Sequence, residues 1–391
     1  MPDRVLEQYA PRPAGPRLSE LRELVRGTIA GHADTWDTEG VIPVEVLREL
    51  GRTGVLCAQV DSAYGGLGAT SLENGEFTAF VGGLCSSTRS VMTSQGMAAW
   101  AIRRLGDRRQ RREQLPALAQ GKLAAVAMSE PWAGSDLAAM RTELRPEGDT
   151  VVIHGRKCWT TAAVSSDLLV VFGRYQGGGA AVLVPTRAPG VRLRPVPAPV
   201  GCRAAGHAHI DLDGVRVPAA DILGGGGPSI SLLVTAALSY GRFSVAWGCV
   251  GILRACLAAA AGHAVTREQF GVTINRHQLV ARHLAELYVA EQAATRSCEH
   301  ASRCWDDNSP EVVAATVLAK YTSARHAAAG AATAMQILAS AGADDHGVVA
   351  RAFRDAKLME IIEGSNEICQ LLLAEHAISN TERDTVEGPT S

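Results

Sequence analysis

Hydrophobic positions along the chain change their spacing twice, from a helical period to a strand-like period and back. From about Leu18 onward, apolar residues recur every three or four positions, as they do on one face of an α-helix. Between residues 123 and 225 they form short β-branched runs, such as residues 151–153, separated by glycine, proline and aspartate. From about residue 229 to 378 the helical spacing returns. The pattern therefore predicts a helical segment, a β segment and a second helical segment.

These changes divide the chain into three predicted domains. We expect an all-α domain at residues 17–122, a β domain at 123–228 and a helical bundle at 229–379, with flexible tails at 1–16 and 380–391. The short strands favour a barrel or a sandwich over alternating βαβ units. Four to five long helices joined by short turns favour an up-and-down bundle. The predicted fold class is therefore α+β.

Composition is that of an ordinary soluble protein. Hydrophobic residues make up 47% of the 391 residues and charged residues 20%. The net charge of −2 argues against a general binder of nucleic acid or membrane surfaces. Arg242 and Arg254 interrupt the most apolar region, so we expect no membrane span. The nine cysteines form no C-x-x-C pair, residues 1–4 lack a signal-peptide core, and no metal spacing occurs, so we expect a cytoplasmic protein without a metal site.

One stretch near the C-terminus combines a helix break with a carboxylate. Glu363 follows the apolar residues Ile361 and Ile362 and precedes Gly364 and Ser365. Apolar neighbours and the negative end of a helix dipole both disfavour the ionised form, so we expect a raised pKa for Glu363. Gly364 lets a ligand approach the backbone closely, and Ser365 can cap the next helix. The stretch suits a catalytic base, although most glutamates at helix ends are solvated surface charges.

Other candidate residues suit a flat ligand with a phosphate. The loop at residues 129–136 follows a predicted strand and carries hydroxyls and small residues. Trp159 is large and flat and Thr161 can hydrogen-bond a ring heteroatom, although a core tryptophan is the commoner case. Arg267 lies at a predicted helix end, where it either reaches a phosphate or caps the helix. Arg242 lies inside an apolar helix and needs a carboxylate or a substrate oxygen as its partner.

A basic run at residues 103–112 contains six arginines. Such a run is most often a solvated helix face. The alternative is a docking surface for an acidic partner, which charge reversal of the arginines would weaken.

Five motifs together resemble the acyl-CoA dehydrogenase family of flavoproteins, over residues 18–378. They occur in the family's order and with its separations: residues 129–136; Trp159, Thr160 and Thr161; Arg242; Arg267, Gln269, Phe270 and Gly271; and Arg354 and Asp355 with Glu363, Gly364 and Ser365. The resemblance implies a helical N-terminal domain, a β-barrel-like middle domain and a C-terminal four-helix bundle. It also implies FAD between the β domain and the bundle, and a homodimer or homotetramer.

The resemblance further implies a role for each matched residue. Glu363 is the expected catalytic base and Arg242 lies near the acyl head, while Ser135 and Gly364 contact the substrate. The expected FAD contacts are Val126, Met128, Ser129, Trp159, Thr160, Thr161, Arg267, Gln269, Phe270, Gln278, Gln336, Ser340, Ser365 and Glu367. Those from Arg267 to Ser340 would complete the adenine and diphosphate site of a neighbouring subunit.

Longer stretches, at residues 84–97, 201–208 and 241–255, resemble one branch of this family. That branch contains the acyl-ACP dehydrogenases that help to make hydroxymalonyl-ACP, a precursor of methoxymalonyl extender units in polyketide biosynthesis. The implied substrate is a glyceryl-derived, hydroxymalonyl-semialdehyde thioester on the phosphopantetheine of an acyl carrier protein, oxidised at C3. The implied electron acceptor is an electron-transfer flavoprotein or oxygen.

The chain departs from the family's usual residues in its expected pockets. Ser239 stands where many members carry an acidic residue, Ala162 replaces an asparagine, and Ala339 and Ser340 replace a glycine pair. One alternative function is therefore α,β-desaturation of a short acyl-CoA. Another is a catalytically silent binding protein on the same fold, which retention of Glu363 argues against.

Overall fold

The computed structural model describes residues 16–227 and 229–387, and within them the predicted α+β fold class is confirmed. Helices come first, a sheet follows, and helices return. The expected N-terminal tail, apart from Pro16, lies outside the described residues.

In the part of the chain that the structure describes, six α-helices precede the sheet, and capping residues fix where two of them begin. They are α1 (Pro16–Ile29), α2 (Ala33–Glu39), α3 (Val44–Arg52), α4 (Ser71–Leu84), α5 (Ser86–Leu105) and α6 (Arg108–Ala119). At α4, Thr70 and Glu73 form a reciprocal capping box, and Asp107 and Gln110 do the same at α6. Both boxes satisfy amides that would otherwise lack partners, so the helix starts are well defined.

The middle segment is one seven-stranded sheet that forms a half-barrel. This agrees with the predicted barrel-like middle domain. The strands are β1 (Ala124–Ala127), β2 (Glu143–Glu147), β3 (Thr150–Thr160), β4 (Leu168–Tyr175), β5 (Gly178–Pro185), β6 (Val191–Pro195) and β7 (Ala208–Pro218). Their order is β1-β4-β2-β3-β7-β6, with β5 also paired to β4. Because side chains alternate along a strand, Leu168 and Val170 pack towards the helices while Leu169 and Val171 fill the sheet's other face.

The C-terminal segment contains five helices, and the longest of them is α7, with 37 residues. They are α7 (Ile230–Thr266), α8 (Gln278–Asp306), α9 (Val312–Leu338), α10 (Val348–Met359) and α11 (Asn366–Glu387). A short hairpin, β8 (Glu268–Gln269) with β9 (Val272–Thr273), follows α7 directly. The helices α4, α5, α8 and α9 all pack on α7, so this helix is the centre of the molecule.

Helix α7 bears on the expectation that no segment spans a membrane. Within the described residues, it is long and apolar enough to cross a membrane by length and composition alone. In the folded chain, however, 78% of its most apolar window is buried inside the protein. The apolar surface of α7 is therefore covered by neighbouring helices.

Residues 380–387, the first part of the expected flexible tail, continue helix α11. Polar residues such as Thr381 and Glu382 do not stop a helix, and the breakers Gly388 and Pro389 come only afterwards. Residues 388–391 lie outside the described part of the chain.

Candidate active site

The loop that carries Glu363 has an unusual backbone conformation. Helix α10 ends at Met359, four residues before Glu363, so the expected helix through Glu363 is too long. Glu363 has a φ of 56° and Gly364 a φ of 91°. A left-handed conformation costs a residue with a Cβ about 1 kcal/mol or more, so surrounding contacts must hold Glu363 in place.

Two buried cations provide those contacts. Arg242 Nε donates to the Glu363 carbonyl oxygen at 3.0 Å, and Lys320 Nζ donates to the Gly364 carbonyl oxygen at 2.6 Å. The side chain of Lys320, on α9, is fully buried. The sequence argument found Arg242 but missed Lys320, although both are cations inside apolar helices. Both bind the main chain and leave the carboxylate free.

Glu363 is half-buried, and one of its carboxylate oxygens, Oε2, lacks a partner among the described residues. Its Oε2 atom is inaccessible and makes no hydrogen bond there. It lies over Gly241 on α7, where a Cβ would come within 2.1 Å of Oε2. Burial raises the pKa of Glu363, and the charges of Arg242 and Lys320 oppose the shift without cancelling it. The raised pKa predicted from the sequence is therefore found, with burial as its main cause.

A third cation, Arg89 on α5, is also buried near this site and was missed by the sequence argument. It is 1% exposed, donates to Thr93 Oγ1 at 3.2 Å and contacts Met359 Sδ at 3.0 Å. Within the described residues it has no carboxylate at ion-pair distance. Its charge also acts against the rise in the pKa of Glu363.

On the sheet side, the loop after β1 is held by a fully buried ion pair. Lys157 Nζ on β3 donates to Glu130 Oε1 at 2.8 Å and to the Met128 carbonyl oxygen at 3.1 Å. Both charged side chains have no exposed surface. The pair, unnoticed in the sequence, fixes the loop that carries Ser129, which is half-buried, and Ser135, which is exposed.

Trp159 presents its ring at the surface of the sheet beside this loop. A register shift between Lys157 and Thr160 in the pairing of β3 with β7 gives Trp159 a φ of 54° and leaves it 55% exposed. Bulges of this kind re-aim a side chain next to functional sites. Thr160 instead points inward and is 2% exposed, so its hydroxyl is not available to a ligand.

Thr161 has a histidine partner that the sequence argument did not identify. Thr161 Oγ1 and His207 Nδ1 lie 3.2 Å apart. Burial lowers the pKa of His207 to about 4, so its ring is neutral at neutral pH. The edges of His207 and His209 both contact the Trp159 ring, with centroids 6.0 and 6.1 Å away. These rings position the aromatic surface and the hydroxyl that a flavin would meet.

The remaining predicted residues form two groups. Val126 and Met128 lie on or just after β1, and Ser365 and Glu367 lie at the start of α11, where Ser365 Oγ accepts from the Ile368 amide at 3.5 Å. The second group lies elsewhere, and its members are Arg267, Gln269 and Phe270 at the β8–β9 hairpin, Gln278 at the start of α8, and Gln336 and Ser340 at the end of α9.

The residues of this second group cannot contact Glu363 of the same chain. Arg267 follows Gly241 by 26 positions along α7, a separation of about 39 Å at 1.5 Å per residue. Phe270 at the hairpin tip is 96% exposed. Within a single chain these residues therefore lie far from Glu363. Their assignment to another subunit's site stays a prediction.

Helix α5 connects the two sides of the site, because Ser94 Oγ donates to the Thr161 carbonyl oxygen at 3.0 Å and Met97 borders Gly241 together with Glu363 Oε2. The exposed Trp159 ring, the Thr161 hydroxyl beside the neutral His207 and the unpaired Oε2 of Glu363 are groups that a flavin ring can use. Flat ring systems favour aromatic faces and a few placed polar groups.

Comparison with known proteins agrees with this geometry. Models of the acyl-CoA dehydrogenase N-terminal, middle and C-terminal domains match residues 18–122, 125–215 and 232–378. The chain belongs to the acyl-CoA dehydrogenase family. It is thus an FAD-dependent oxidoreductase that acts as an acyl-CoA or acyl-ACP dehydrogenase.

Three relatives illustrate the range of likeness. The chain is 32% identical over 362 residues to the probable acyl-CoA dehydrogenase YngJ of Bacillus subtilis, covering 90% of this chain and 95% of the relative. The structure of FkbI, described as acting in biosynthesis of the methoxymalonyl extender unit of the polyketide Fk520, is 58% identical with a TM-score of 0.88, covering 92% and 99%. A glutaryl-CoA dehydrogenase from Mycobacterium smegmatis in complex with FADH2 is 26% identical with a TM-score of 0.87, covering 92% and 93%.

Proposed function

We propose that this dehydrogenase oxidises C3 of a glyceryl-derived, hydroxymalonyl-semialdehyde thioester on an acyl carrier protein towards hydroxymalonyl-ACP, a methoxymalonyl precursor in polyketide biosynthesis. The observation that carries the chemistry is the buried, unpaired Oε2 atom of Glu363, together with the raised pKa of this residue. The substrate class is supported by the 58% identity to FkbI over 92% of the chain. We assign the reaction to the cytoplasm.

In this proposal Glu363 is the base. The aldehyde hydrate at C3 loses a hydroxyl proton to Glu363 and a hydride from the same carbon, which leaves a carboxylic acid. FAD, when bound, accepts that hydride. Arg242 and Lys320 keep the base loop in its left-handed conformation, so the carboxylate stays aimed across Gly241. Because neither cation binds the carboxylate oxygens, the carboxylate keeps the proton affinity that a base requires.

The remaining predicted residues hold the cofactor and substrate in this proposal. Ser129 and Thr161 bond the flavin ring beside Trp159, while Ser135 and Gly364 contact the thioester. The hairpin residues, with Gln336 and Ser340, complete the adenine and diphosphate site of a second copy of the chain, in a homodimer or homotetramer. The separation of about 39 Å along α7 supports this division between subunits.

A second candidate is α,β-desaturation of a short acyl-CoA. It is favoured by the short-chain specific acyl-CoA dehydrogenase of Mus musculus, which is 29% identical over 376 residues and matches 92% of this chain. In that reaction Glu363 would remove a carbon-bound α-proton instead of a hydroxyl proton.

The test is to mix the FAD-loaded protein anaerobically with matched acyl groups on a carrier protein and on CoA, and to follow bleaching of the flavin. Working without oxygen or an electron-transfer flavoprotein isolates the reductive half-reaction. We expect the semialdehyde on the carrier protein to bleach the flavin fastest and to yield a carboxylate product by mass spectrometry. Faster bleaching by butyryl-CoA, with an enoyl product, would establish the second candidate instead.

A further inference from the structure

One face of α7 leads from the base loop to the surface of the protein. Arg242, Leu238, Thr235 and Ser231 recur at three- and four-residue intervals and so share this face. Arg242 is buried, Leu238 and Thr235 are half-buried, and Ser231 is exposed. The eleven positions from Arg242 to Ser231 span about 16 Å. That length is comparable to an extended phosphopantetheine arm, with the thioester at the inner end and the phosphate at the outer end.

Four exposed arginines, Arg103, Arg104, Arg108 and Arg112, lie on α5 and α6 near the N-terminal end of α7, and we call them the arginine patch. Trp100 at the end of α5 donates from Nε1 to the Ala236 carbonyl oxygen on α7 at 2.9 Å. The guanidinium groups of Arg103 and Arg104 lie over the Trp100 ring, 5.7 and 5.5 Å from its centre. The C-terminal part of α5 is therefore tied to α7 at Ala236, the residue after Thr235.

The start of α6 is tied to the same end of α7. Gln110 Nε2 donates to the carbonyl oxygens of Ala220 and Ile222, at 2.8 and 2.7 Å, in the turn that precedes α7. Arg108 and Arg112, one helical turn apart, project from α6 beside this anchored residue. The arginine patch thus borders the exposed N-terminal end of α7 on two sides.

The charges of the arginine patch are not neutralised within the described residues. None of its four guanidinium groups has a carboxylate within 4.0 Å there. The neighbouring Arg109 differs, because it pairs with Glu113 at 2.6 Å and donates to the Ala220 carbonyl oxygen. Clustered, unpaired cations repel one another and create a positive field that attracts anions.

We propose that the arginine patch is the docking surface for an acidic acyl carrier protein, whose phosphopantetheine arm would then enter from the N-terminal end of α7. This inference rests on the proposed use of carrier-bound substrates. Arginine matches phosphate and carboxylate groups with paired hydrogen bonds, so the patch suits both the arm's phosphate and acidic residues around it. Complementary charge would mainly accelerate association and make it sensitive to salt.

The test compares two double charge reversals of exposed arginines. Arg108→Glu with Arg112→Glu changes the patch, while Arg187→Glu with Arg192→Glu changes two exposed arginines of the sheet domain that likewise have no described ion pair. For each variant we would measure kcat/KM with the acyl group on the carrier protein and on free pantetheine. We expect the patch variant to lose about tenfold with the carrier substrate at low salt, nothing with pantetheine, and the control to lose nothing.

Equal losses with both substrates, or no loss with the carrier substrate, would overturn the proposal. Binding of a fluorescently labelled holo-acyl carrier protein, followed by anisotropy, makes the test independent of turnover. If no carrier-bound substrate bleaches the flavin, the proposed reaction fails, yet binding that disappears only in the patch variant still supports the docking surface. A wild-type protein that does not bind the carrier protein, or a patch variant that binds it equally well, would remove the docking surface.

Discussion

Glu130 and Glu363 are both loop glutamates with buried carboxylate oxygens, yet their surroundings shift their pKa values in opposite directions. The Glu130 carboxylate accepts hydrogen bonds from Lys157, from the Trp132 indole, from the Arg141 amide, and from the amide and hydroxyl of Thr142. Burial opposes ionisation of Glu130, but the Lys157 charge and these donors outweigh it and lower its pKa. Burial raises the pKa of Glu363, whose Oε2 has no described partner.

The difference lies in where the cations bind. Lys157 contacts the carboxylate of Glu130 itself, so that glutamate is a fixed anion that shapes the loop after β1. Arg242 and Lys320 contact the carbonyl oxygens of Glu363 and Gly364, so they position the base loop without forming an ion pair with the carboxylate. A structural glutamate and a base can thus be distinguished by which oxygen the nearest cation contacts.

The largest expected effect separates the two glutamates by the same substitution. At pH 7, Glu130→Gln should lower the free energy of unfolding by about 3–5 kcal/mol, because it leaves the Lys157 charge buried without its partner. Glu363→Gln should leave stability unchanged or raise it, because it removes a carboxylate whose ionised form burial disfavours. Thermal and denaturant unfolding of the FAD-loaded proteins measures both, and losses of similar size would contradict the contrast.

The pH dependence of stability should differ in the same way. The pKa of Glu130 is lowered from 4.5, so its contribution is present above that pH and is lost as the pH falls through the folded value. The pKa of Glu363 is raised from 4.5, so its contribution is present below that pH and is lost as the pH rises through the folded value. Each Gln variant should lose only its own part of the wild-type profile.

A smaller effect is expected when the clamp on the base loop is weakened. Lys320→Met removes the hydrogen bond to the Gly364 carbonyl, which is worth about 1–3 kcal/mol when a buried acceptor is left unsatisfied. It also removes a charge that lowers the pKa of Glu363, so the pH at which flavin reduction reaches half its maximal rate should move upward. Stopped-flow bleaching across pH measures this shift.

Two controls make the clamp prediction specific. Lys320→Arg keeps the charge and should leave the half-maximal pH close to that of the wild type. Lys157→Met should lower the free energy of unfolding without changing the half-maximal pH, because Lys157 is not among the charges that act on Glu363. If Lys320→Met kept the wild-type pH profile, Lys320 would have no effect on the pKa of Glu363 and would serve structure alone.

Hydrophobic spacing was sufficient to predict the helical, β and helical order, because each period reflects which side chains are buried. The helix break at Gly364 likewise identified Glu363. The local sequence pattern extended α10 to Glu363, four residues beyond its actual end at Met359. The left-handed φ at Glu363 depends on Arg242 and Lys320, which are distant in sequence.

Most of the residues that were missed could be identified only from partners far along the chain. Lys157 follows Glu130 by 27 positions and His207 follows Thr161 by 46, on strands whose pairing no local pattern specifies. Arg89 contacts Met359 across 270 positions. Lys320 is different, because a lysine inside the apolar pattern of α9 carried the same signal that identified Arg242.

The most direct measurement concerns Glu363 itself. The Glu363→Gln protein, loaded with FAD, would be mixed anaerobically with the carrier-bound thioester that bleaches the wild type. We expect it to bind carrier protein normally while flavin reduction slows by about 10² to 10⁴, the usual contribution of a positioned general base. Bleaching at the wild-type rate would show that a different group removes the proton.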